Sequence, residues 1–181
     1  KLKSIGSTGS PLSEEAFYWL QKRLPRTQLI SMSGGTDVCS AFLGGNPNLP
    51  VYAGYLQCEM LGASVECWNE KGEKLKNETG ELVITNPMPS MPIYFWGDTQ
   101  NKIFKKSYFK KFKDVWTHGD WIQKSETKGI KILGRSDSTL NRKGVRIGTS
   151  EIYRVLDLLD EIIDSIIVDL PNKKDHSKLF L

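Results

Sequence analysis

Residues 134–151 read GRSDSTLNRKGVRIGTSE, a polar segment between an apolar run at 130–133 and a helical pattern that begins at Ser150. The segment holds three glycines, three arginines, one aspartate and several hydroxyl side chains. It is too polar for a core and has more hydrogen-bond donors than a plain turn needs. Guanidinium groups hold phosphate or ribose oxygens, and glycine lets a ligand approach the backbone closely. The segment is therefore either a site for an anionic, hydroxyl-bearing ligand or a solvated basic loop.

The spacing within this segment resembles a known motif. The parts that carry the resemblance are GRSD at 134–137, LN at 140–141 and GVRIGTSE at 144–151. They are similar to the hinge motif of the adenylate-forming superfamily, which contains the acyl-CoA synthetases. A motif of this length and composition is specific.

The resemblance implies a role for each polar residue of the motif. Arg135 would contact the ribose, and Arg146 would approach the phosphate of an acyl-adenylate and act in catalysis. Asp137 would be the hinge between a large and a small domain. Gly144 would lie beside the path of the pantetheine arm of CoA.

The same resemblance predicts an α/β fold in two parts. Residues 1–136 would form the C-terminal part of the large AMP-binding domain, with a strand-helix-strand unit and a small barrel-like β subdomain. Residues 137–181 would form the hinge and the start of an incomplete small α/β domain. The residue pattern agrees, because apolar residues recur at helical spacing after Ser13, while 62–68 and 81–85 alternate as strands do.

Composition limits the classes of function. The 181 residues are 39% hydrophobic and 25% charged, an ordinary soluble composition, and the net charge of +4 permits anionic small ligands. We expect no nucleic-acid partner and no membrane span, because no stretch approaches the ~18 apolar residues of a membrane helix. Three cysteines without CxxC spacing predict free, mostly buried thiols and a cytoplasmic location. The chain starts without Met and stops in an apolar run, which predicts an internal fragment of a longer protein.

Residues 6–11, GSTGSP, lie between a predicted strand and the helix start at Ser13. Their composition is typical of a phosphate loop, but Leu12 stands where the lysine of such a loop would follow. In the superfamily, a second glycine-proline loop in this position lines the adenine with its backbone. Gly9, Ser10 and Pro11 are therefore predicted to contact the nucleotide. A simple strand-to-helix turn is the alternative.

Residues 33–37, SGGTD, follow a short apolar strand. The glycine pair lets a ligand approach the backbone, threonine can donate to a phosphate oxygen, and a carboxylate can bind a hard cation. A plain turn can have the same composition. The resemblance implies that Thr36 contacts the α-phosphate in catalysis. It also implies that Asp37 holds Mg²⁺, at a position where the superfamily usually has Glu.

Ser33, Gly34 and Gly35 are predicted to line the acyl pocket. Acetate-activating relatives carry a tryptophan at the position of Gly34, so its absence would enlarge the pocket. Hydrophobic pockets discriminate by ~1–3 kcal/mol per methylene. The expected acid is therefore larger than acetate, and acetoacetate is the natural candidate, with another short or medium acid as the alternative. Residues 42–52, FLGGNPNLPVY, also look like the branch that activates acetoacetate.

Residues 116–120, WTHGD, place a carboxylate after a glycine at a predicted strand-loop junction. Such a carboxylate can accept both ribose hydroxyls, and the superfamily has a Thr-x-Gly-Asp pattern whose aspartate does so. Asp120 is therefore a predicted ribose ligand. His118 has no acid or nucleophile at recognisable spacing, which favours a structural role over general-base catalysis. For the aromatic residues at 94–96, core packing is favoured over a stacking platform for bases.

The resemblance implies an AMP-forming acid-thiol ligase that uses ATP, Mg²⁺ and CoA. The carboxylate would attack the α-phosphate of ATP, releasing pyrophosphate. The small domain would then turn about Asp137, and the CoA thiol would displace AMP. The superfamily's phosphate loop and a lysine of its small domain are not among these 181 residues, so we expect the chain alone to be inactive. A nucleotide-binding module without ligase activity and acyl transfer to a carrier protein are the alternatives.

Overall fold

A computed structural model describes residues 2–137, 140–142, 145–147, 149–156, 159, 161–170 and 178–180. The strands are β1 (Ser4–Ser7), β2 (Gln28–Ser31), β3 (Ser33–Gly35), β4 (Ser40–Gly44), β5 (Cys58–Glu59), β6 (Val65–Trp68), β7 (Thr79–Ile84), β8 (Trp116–Ser125), β9 (Gly129–Arg135), β10 (Leu140–Arg142), β11 (Val145–Ile147), β12 (Val168–Leu170) and β13 (Lys178–Phe180). The helices are α1 (Glu14–Arg23), α2 (Lys102–Tyr108) and α3 (Thr149–Leu156).

The first unit is the predicted strand-helix-strand. β1 and β2 pair in parallel, with Ser4 opposite Gln28, and α1 connects them. α1 begins where the side chain of Ser13 accepts the backbone N–H of Ala16 at 3.2 Å, as expected of an N-cap residue. Phe17 is buried. The loop between β1 and α1 therefore stands at the carboxyl end of a parallel strand.

The next three strands form an antiparallel sheet in the order β3-β4-β5. The pairing of β3 with β4 shifts register between Ser33 and Gly34. A Cβ at Gly34 would lie 2.3 Å from the backbone oxygen of Ser40. Glycine at this position therefore permits the close approach of the two strands.

The largest sheet is antiparallel, in the order β6-β7-β8-β9. Its inner face holds most of the core, including Leu82, Ile84, Trp116 and Ile122. Paired bridges between Leu56 and Ile130 join the segment before β5 to this sheet. Among the described residues the sheets stay open, so the β subdomain that was expected to be barrel-like is not a closed barrel.

α2 carries an aromatic cluster against β8. Phe104 is buried, and the ring of Tyr108 stacks on Trp116 with 3.6 Å between centroids. Of the aromatic residues at 94–96, Phe95 packs here, whereas Trp96 is 95% exposed. The expectation of core packing was therefore wrong for Trp96 and also for Tyr94, which is 54% exposed. Residues 95–98 form a turn, which directs the side chains of Phe95 and Trp96 apart.

The segment after residue 137 contains two strand pairs and one helix. β10 pairs with β11, and β12 pairs with β13, each antiparallel. α3 packs against β9. Leu156 is buried, but Val155 is 62% exposed, so the apolar side chains of this helix are only partly covered.

No helix in the described part of the chain has the length and apolar character needed to cross a membrane. The cysteines are free: Cys67 is buried, Cys58 is half-buried and Cys39 is exposed. The expectation of free thiols is confirmed, and only Cys67 is fully buried.

Candidate active site

A cleft of about 290 Å³ opens where four parts of the chain meet. We call it the first cleft. It is lined by the β1–α1 loop, the β2–β3 junction, strands β8 and β9, and the start of α3. The predicted site residues that it brings together are Gly9, Ser10, Pro11, Ser33, Gly34, Asp120 and Arg135. Residues more than a hundred positions apart in sequence thus share one cavity.

A second cleft, of about 590 Å³, lies beside the first and shares His118 and Arg135 with it. Its walls are strongly charged, with Lys106, Lys110, Lys111, Glu81 and Asp137 among the lining residues. Arg135 therefore stands on the boundary between the two clefts.

The ion pair between Asp120 and Arg135 is the best-defined feature of the first cleft. The two residues lie opposite each other on β8 and β9, and Nη1 of Arg135 is 3.3 Å from Oδ1 of Asp120. Asp120 is only 7% exposed. Burial raises the pKa of Asp120 to about 6, and the nearby guanidinium of Arg135 opposes that rise. An almost fully buried carboxylate that lines a cleft can accept hydroxyl groups of a ligand.

Asp120 lies within β8 rather than at the predicted strand-loop junction. The strand is irregular there: Gly119 has a φ of +86°, and the register with β9 shifts between Trp121 and Ile122. This irregularity gives the turn-like geometry that the glycine suggested. The glycine in the sequence therefore correctly predicted an irregular backbone here, although β8 continues through the irregularity.

Arg135 also contacts Asp137, through Nε and Nη2. Nε is 2.9 Å from Oδ1, and Nη2 contacts Oδ2. The hydrogen bond from Arg135 lowers the pKa of Asp137. A Cβ at Gly119 would lie 2.8 Å from Nη2 of Arg135. Glycine at this position leaves the guanidinium room to bridge the two carboxylates.

His118 is packed in the wall between the two clefts. Its ring meets Phe42 edge-on, with 4.5 Å between centroids, and Nε1 of Trp116 donates to its Nδ1 at 3.5 Å. Burial lowers the pKa of His118 to about 4, so the ring is neutral near pH 7. The packing of the ring favours the predicted structural role. The expectation that His118 lacks a partner acid was wrong, however, because its Nε2 lies 3.7 Å from Oδ2 of Asp120.

Thr36 and Asp37 lie on the exposed turn between β3 and β4 and do not line the first cleft. The hydroxyl of Tyr108 donates to Oδ2 of Asp37 at 2.5 Å. Tyr108 lines the second cleft, so this bond ties the turn to the side of the second cleft.

Asp37 has the chemistry of a Mg²⁺ ligand, because Mg²⁺ prefers oxygen donors. Among the residues whose side chains are described, no group of three acidic, histidine or cysteine side chains could hold a metal ion. A Mg²⁺ at Asp37 would therefore complete its shell with waters and phosphate oxygens, as Mg²⁺ commonly does with nucleotides.

The glycine pair of β3 has tighter surroundings than the sequence suggested. Gly34 lines the first cleft, but a Cβ there would meet the backbone of β4 before it reached the cavity. A Cβ at Gly35 would lie 3.1 Å from Cε1 of His118. Any large side chain at either position would thus require β4 or His118 to move.

Two further predicted site residues, Gly144 and Arg146, lie in the segment after residue 137. Gly144 is outside the described residues. For Arg146 the structure describes the backbone, which pairs with Asn141 in the β10–β11 hairpin.

Several site residues were not singled out from the sequence. Tyr108 contacts Asp37, Tyr153 of α3 lines the first cleft, and Glu81 and Lys111 line the second. Glu81 stands in the apolar strand sequence GELVI, and a charged residue between buried ones was a usable signal. Tyr108 and Tyr153 lie in helical patterns where nothing distinguishes a cleft residue from a core residue.

The chain is similar to acetoacetyl-CoA synthetases. It is 44% identical to the protein from Gallus gallus, a match that spans 99% of this chain and 27% of that protein. It is 45% identical to acetoacetyl-coenzyme A synthetase from Rhizobium meliloti (strain 1021) over 92% of this chain and 26% of that protein. The chain thus spans about a quarter of the length of these relatives. No protein-family model matches the chain.

Solved structures show the same relation. The structure of acetoacetyl-CoA synthetase from Streptomyces lividans matches 98% of this chain with a TM-score of 0.85 and 41% identity, and the match spans 27% of that protein. The anthranilate CoA ligase AuaEII, solved with anthranoyl-AMP, matches with a TM-score of 0.74 at 17% identity, and the match spans 98% of this chain and 33% of that protein. This second similarity is one of fold. In sequence and in fold, the chain therefore matches a segment of the acetoacetyl-CoA synthetases, which are adenylate-forming enzymes.

Proposed function

We propose that the protein containing this chain activates acetoacetate with ATP and transfers the acyl group to CoA. An oxygen of acetoacetate attacks the α-phosphorus of ATP, and the bond to pyrophosphate breaks. The CoA sulfur then attacks the acyl carbon, and AMP leaves with the electrons of the acyl-oxygen bond. The products are acetoacetyl-CoA, AMP and pyrophosphate. The free cysteines are consistent with a cytoplasmic setting for this reaction.

The observation that carries the proposal is the ion pair between the buried Asp120 and the half-exposed Arg135, both of which line the first cleft. A carboxylate at this depth accepts ribose hydroxyls strongly because few waters compete for it. Arg135 orients that carboxylate and adds donors of its own. The backbone of Gly9–Pro11 lies in the same cleft, where it would line the adenine. This arrangement binds and orients the nucleotide rather than breaking bonds.

Two of the groups proposed for the reacting phosphate lie on the exposed turn between β3 and β4. Thr36 would donate to the α-phosphate, and Asp37 would hold the Mg²⁺ that offsets phosphate charge when it is bound. Arg146 would add a positive charge near the same phosphate. Gly144 would border the CoA path, and Asp137 would be the hinge between residues 1–136 and 137–181.

The acyl pocket is the least constrained part of the proposal. Ser33 and Gly34 line the first cleft, which supports a binding site for the acid there. The tight contact of Gly34 with β4 gives its missing side chain a second explanation, in strand packing. Acetoacetate is therefore proposed chiefly from the similarity to acetoacetyl-CoA synthetases.

The test measures pyrophosphate exchange into ATP by the protein that contains this chain, with acetate, acetoacetate and butyrate as the acids. We expect acetoacetate to support the highest kcat/KM. A preference for another acid would place the protein with synthetases for that acid. No exchange with any acid, together with AMP binding, would identify a nucleotide-binding module and overturn the proposed activity. The 181-residue chain alone is expected to support no exchange.

A further inference from the structure

Glu81 is a buried carboxylate to which the proposed reaction assigns no role. It lies on β7, and only 1% of the residue is exposed. Each of its oxygens accepts a hydrogen bond: Oε2 accepts from Nζ of Lys111 and Oε1 from Oγ of Ser136, both at 2.7 Å. A charge this deep in a protein is held in place by such partners. The partners come from different parts of the chain.

Lys111 supplies the opposite charge from the segment after α2. Its ammonium group also lies 5.1 Å from the centroid of the Trp121 ring on β8. The contact with Trp121 and the ion pair with Glu81 together hold the ammonium group of Lys111 in place. The ammonium group compensates the charge of Glu81 through Oε2, so Oε1 is not used in this ion pair. That oxygen is therefore available to Ser136.

Ser136 is held through both its side chain and its backbone. Its hydroxyl donates to Glu81, and its backbone N–H donates to the carbonyl of Gly119 at 2.8 Å. The next residue is Asp137, and the preceding residue is Arg135, which reaches Asp120. The chain is thus anchored to two strands at the last residue before Asp137.

We infer that Glu81 is a positioning residue for domain rotation, since it holds Ser136 while the chain turns about Asp137. This inference rests on the proposed function, including a hinge at Asp137. When Asp137 rotates, its contacts with Arg135 change. The bonds to Ser136 keep Arg135 and Asp120 in their ribose-binding positions, so the adenylate stays in place until CoA arrives. Glu81 acts through Ser136 and touches no reacting atom.

The experiment separates the two half-reactions in the whole protein. Pyrophosphate exchange reports formation of the adenylate, and single-turnover release of AMP on addition of CoA reports the step after rotation. We expect Ser136→Ala to slow the CoA-dependent step about tenfold and to change exchange less than about threefold. Glu81→Gln should act in the same direction, and Ser136→Thr, which keeps the hydroxyl, should restore the rate.

Glu66→Gln is the matched control. Glu66 lies on the neighbouring strand β6, and its side chain accepts from Lys74 and Trp68, both at 2.7 Å, rather than from Ser136. Its ion pair is also more exposed than that of Glu81. We expect both half-reactions to be unchanged in this variant. Equal losses in both half-reactions for Ser136→Ala, or no loss in either, would overturn the inference.

A second readout does not depend on the acid or on activity. Amide hydrogen exchange in a peptide covering residues 133–137 should speed up in Ser136→Ala and Glu81→Gln but not in Glu66→Gln. If the wild-type protein supports no pyrophosphate exchange, the proposed function fails, and this measurement alone decides whether Glu81 anchors Ser136. If amide hydrogen exchange in this peptide were the same in these variants as in the wild type, Glu81 would not anchor Ser136.

Discussion

The ribose end and the phosphate end of the proposed site are built differently. At the ribose end, Asp120 and Arg135 are side chains of paired strands, and Asp120 is almost fully buried. At the phosphate end, Thr36 and Asp37 stand on an exposed turn. Asp37 accepts a hydrogen bond there from the hydroxyl of Tyr108.

This difference shows how a site can combine fixed and adjustable parts. Groups held by a sheet keep their positions whether or not a ligand is bound, so they suit a task of orientation. Groups on a turn adopt their working geometry when phosphate or a cation arrives. We therefore expect substitutions at the ribose end to have larger effects on nucleotide use.

The largest effect is expected for Asp120→Asn in the whole protein. The variant loses the charge that accepts the ribose hydroxyls, so kcat/KM for ATP in pyrophosphate exchange should fall about 100-fold. Thr36→Ala, at the exposed turn, should lower the same parameter about tenfold. Equal losses in the two variants would contradict the distinction between the two ends.

The next effect is on stability, at the base of the exposed turn. Gly34→Ala should lower the free energy of unfolding of the chain by about 2 kcal/mol, because the new methyl group would meet the backbone of Ser40. Gly35→Ala is the control: its Cβ would meet the ring of His118, which can shift, so the loss should stay below about 1 kcal/mol. Urea unfolding measures both. A smaller loss for Gly34→Ala than for Gly35→Ala would refute this account of the strand contact.

A smaller effect on ligand affinity is expected when a change of pH alters the ionisation of Asp120. Burial raises the pKa of Asp120 to about 6, so at about pH 5 only about one in ten of these carboxylates is ionised. The affinity for adenosine, which has the same ribose but no phosphate that titrates in this range, should therefore fall about tenfold from about pH 7 to about pH 5, as measured by calorimetry. In Asp120→Asn the affinity should be low and nearly independent of pH over this range. A wild-type affinity that does not change with pH would contradict the role of Asp120.

The titrations of Asp120 and His118 should change the free energy of unfolding in opposite directions as pH rises. The raised pKa of Asp120 means that the folded state holds its proton more firmly, so this contribution to stability is lost as pH rises through about 6. The pKa of His118 is lowered from 6.5 to about 4, so its contribution grows as pH rises between those values. His118→Gln should remove that second contribution, and urea unfolding across this range would detect a loss of slope.

The smallest effect is expected for Tyr108→Phe. The variant loses the hydrogen bond that orients Asp37, so the Mg²⁺ concentration for half-maximal pyrophosphate exchange should rise about threefold. Tyr18→Phe, at a 66% exposed position, is the control and should leave the Mg²⁺ requirement unchanged. If Tyr18→Phe raised the Mg²⁺ requirement by the same factor, the effect of Tyr108→Phe would not come from its hydrogen bond to Asp37.

Much of the fold could be predicted from the sequence, because local patterns determine it. Ser13 marked the start of α1, and alternating residues marked β6 and β7. The positions that failed depend on tertiary contacts. Trp96 was expected to pack in the core but is 95% exposed, because its neighbour Phe95 packs against the rings of Phe104 and Tyr108 instead.

The site was predictable where a residue type and its spacing are specific. Asp120 and Arg135 were found through glycine-rich motifs, and the structure brings both to one cleft. Glu81 and Tyr108 were not, because their roles arise from partners 30 and 71 residues away in sequence. Long-range pairs of this kind leave no periodic signal.

The left-handed backbone of Gly119 has a consequence for how such proteins diverge. A side chain at this position would be strained by the φ of +86° and would also displace the guanidinium of Arg135. The ion pairs of Arg135 with Asp120 and Asp137 hold the guanidinium in that position. We therefore expect descendants that keep the pair between Asp120 and Arg135 to keep glycine at position 119 as well.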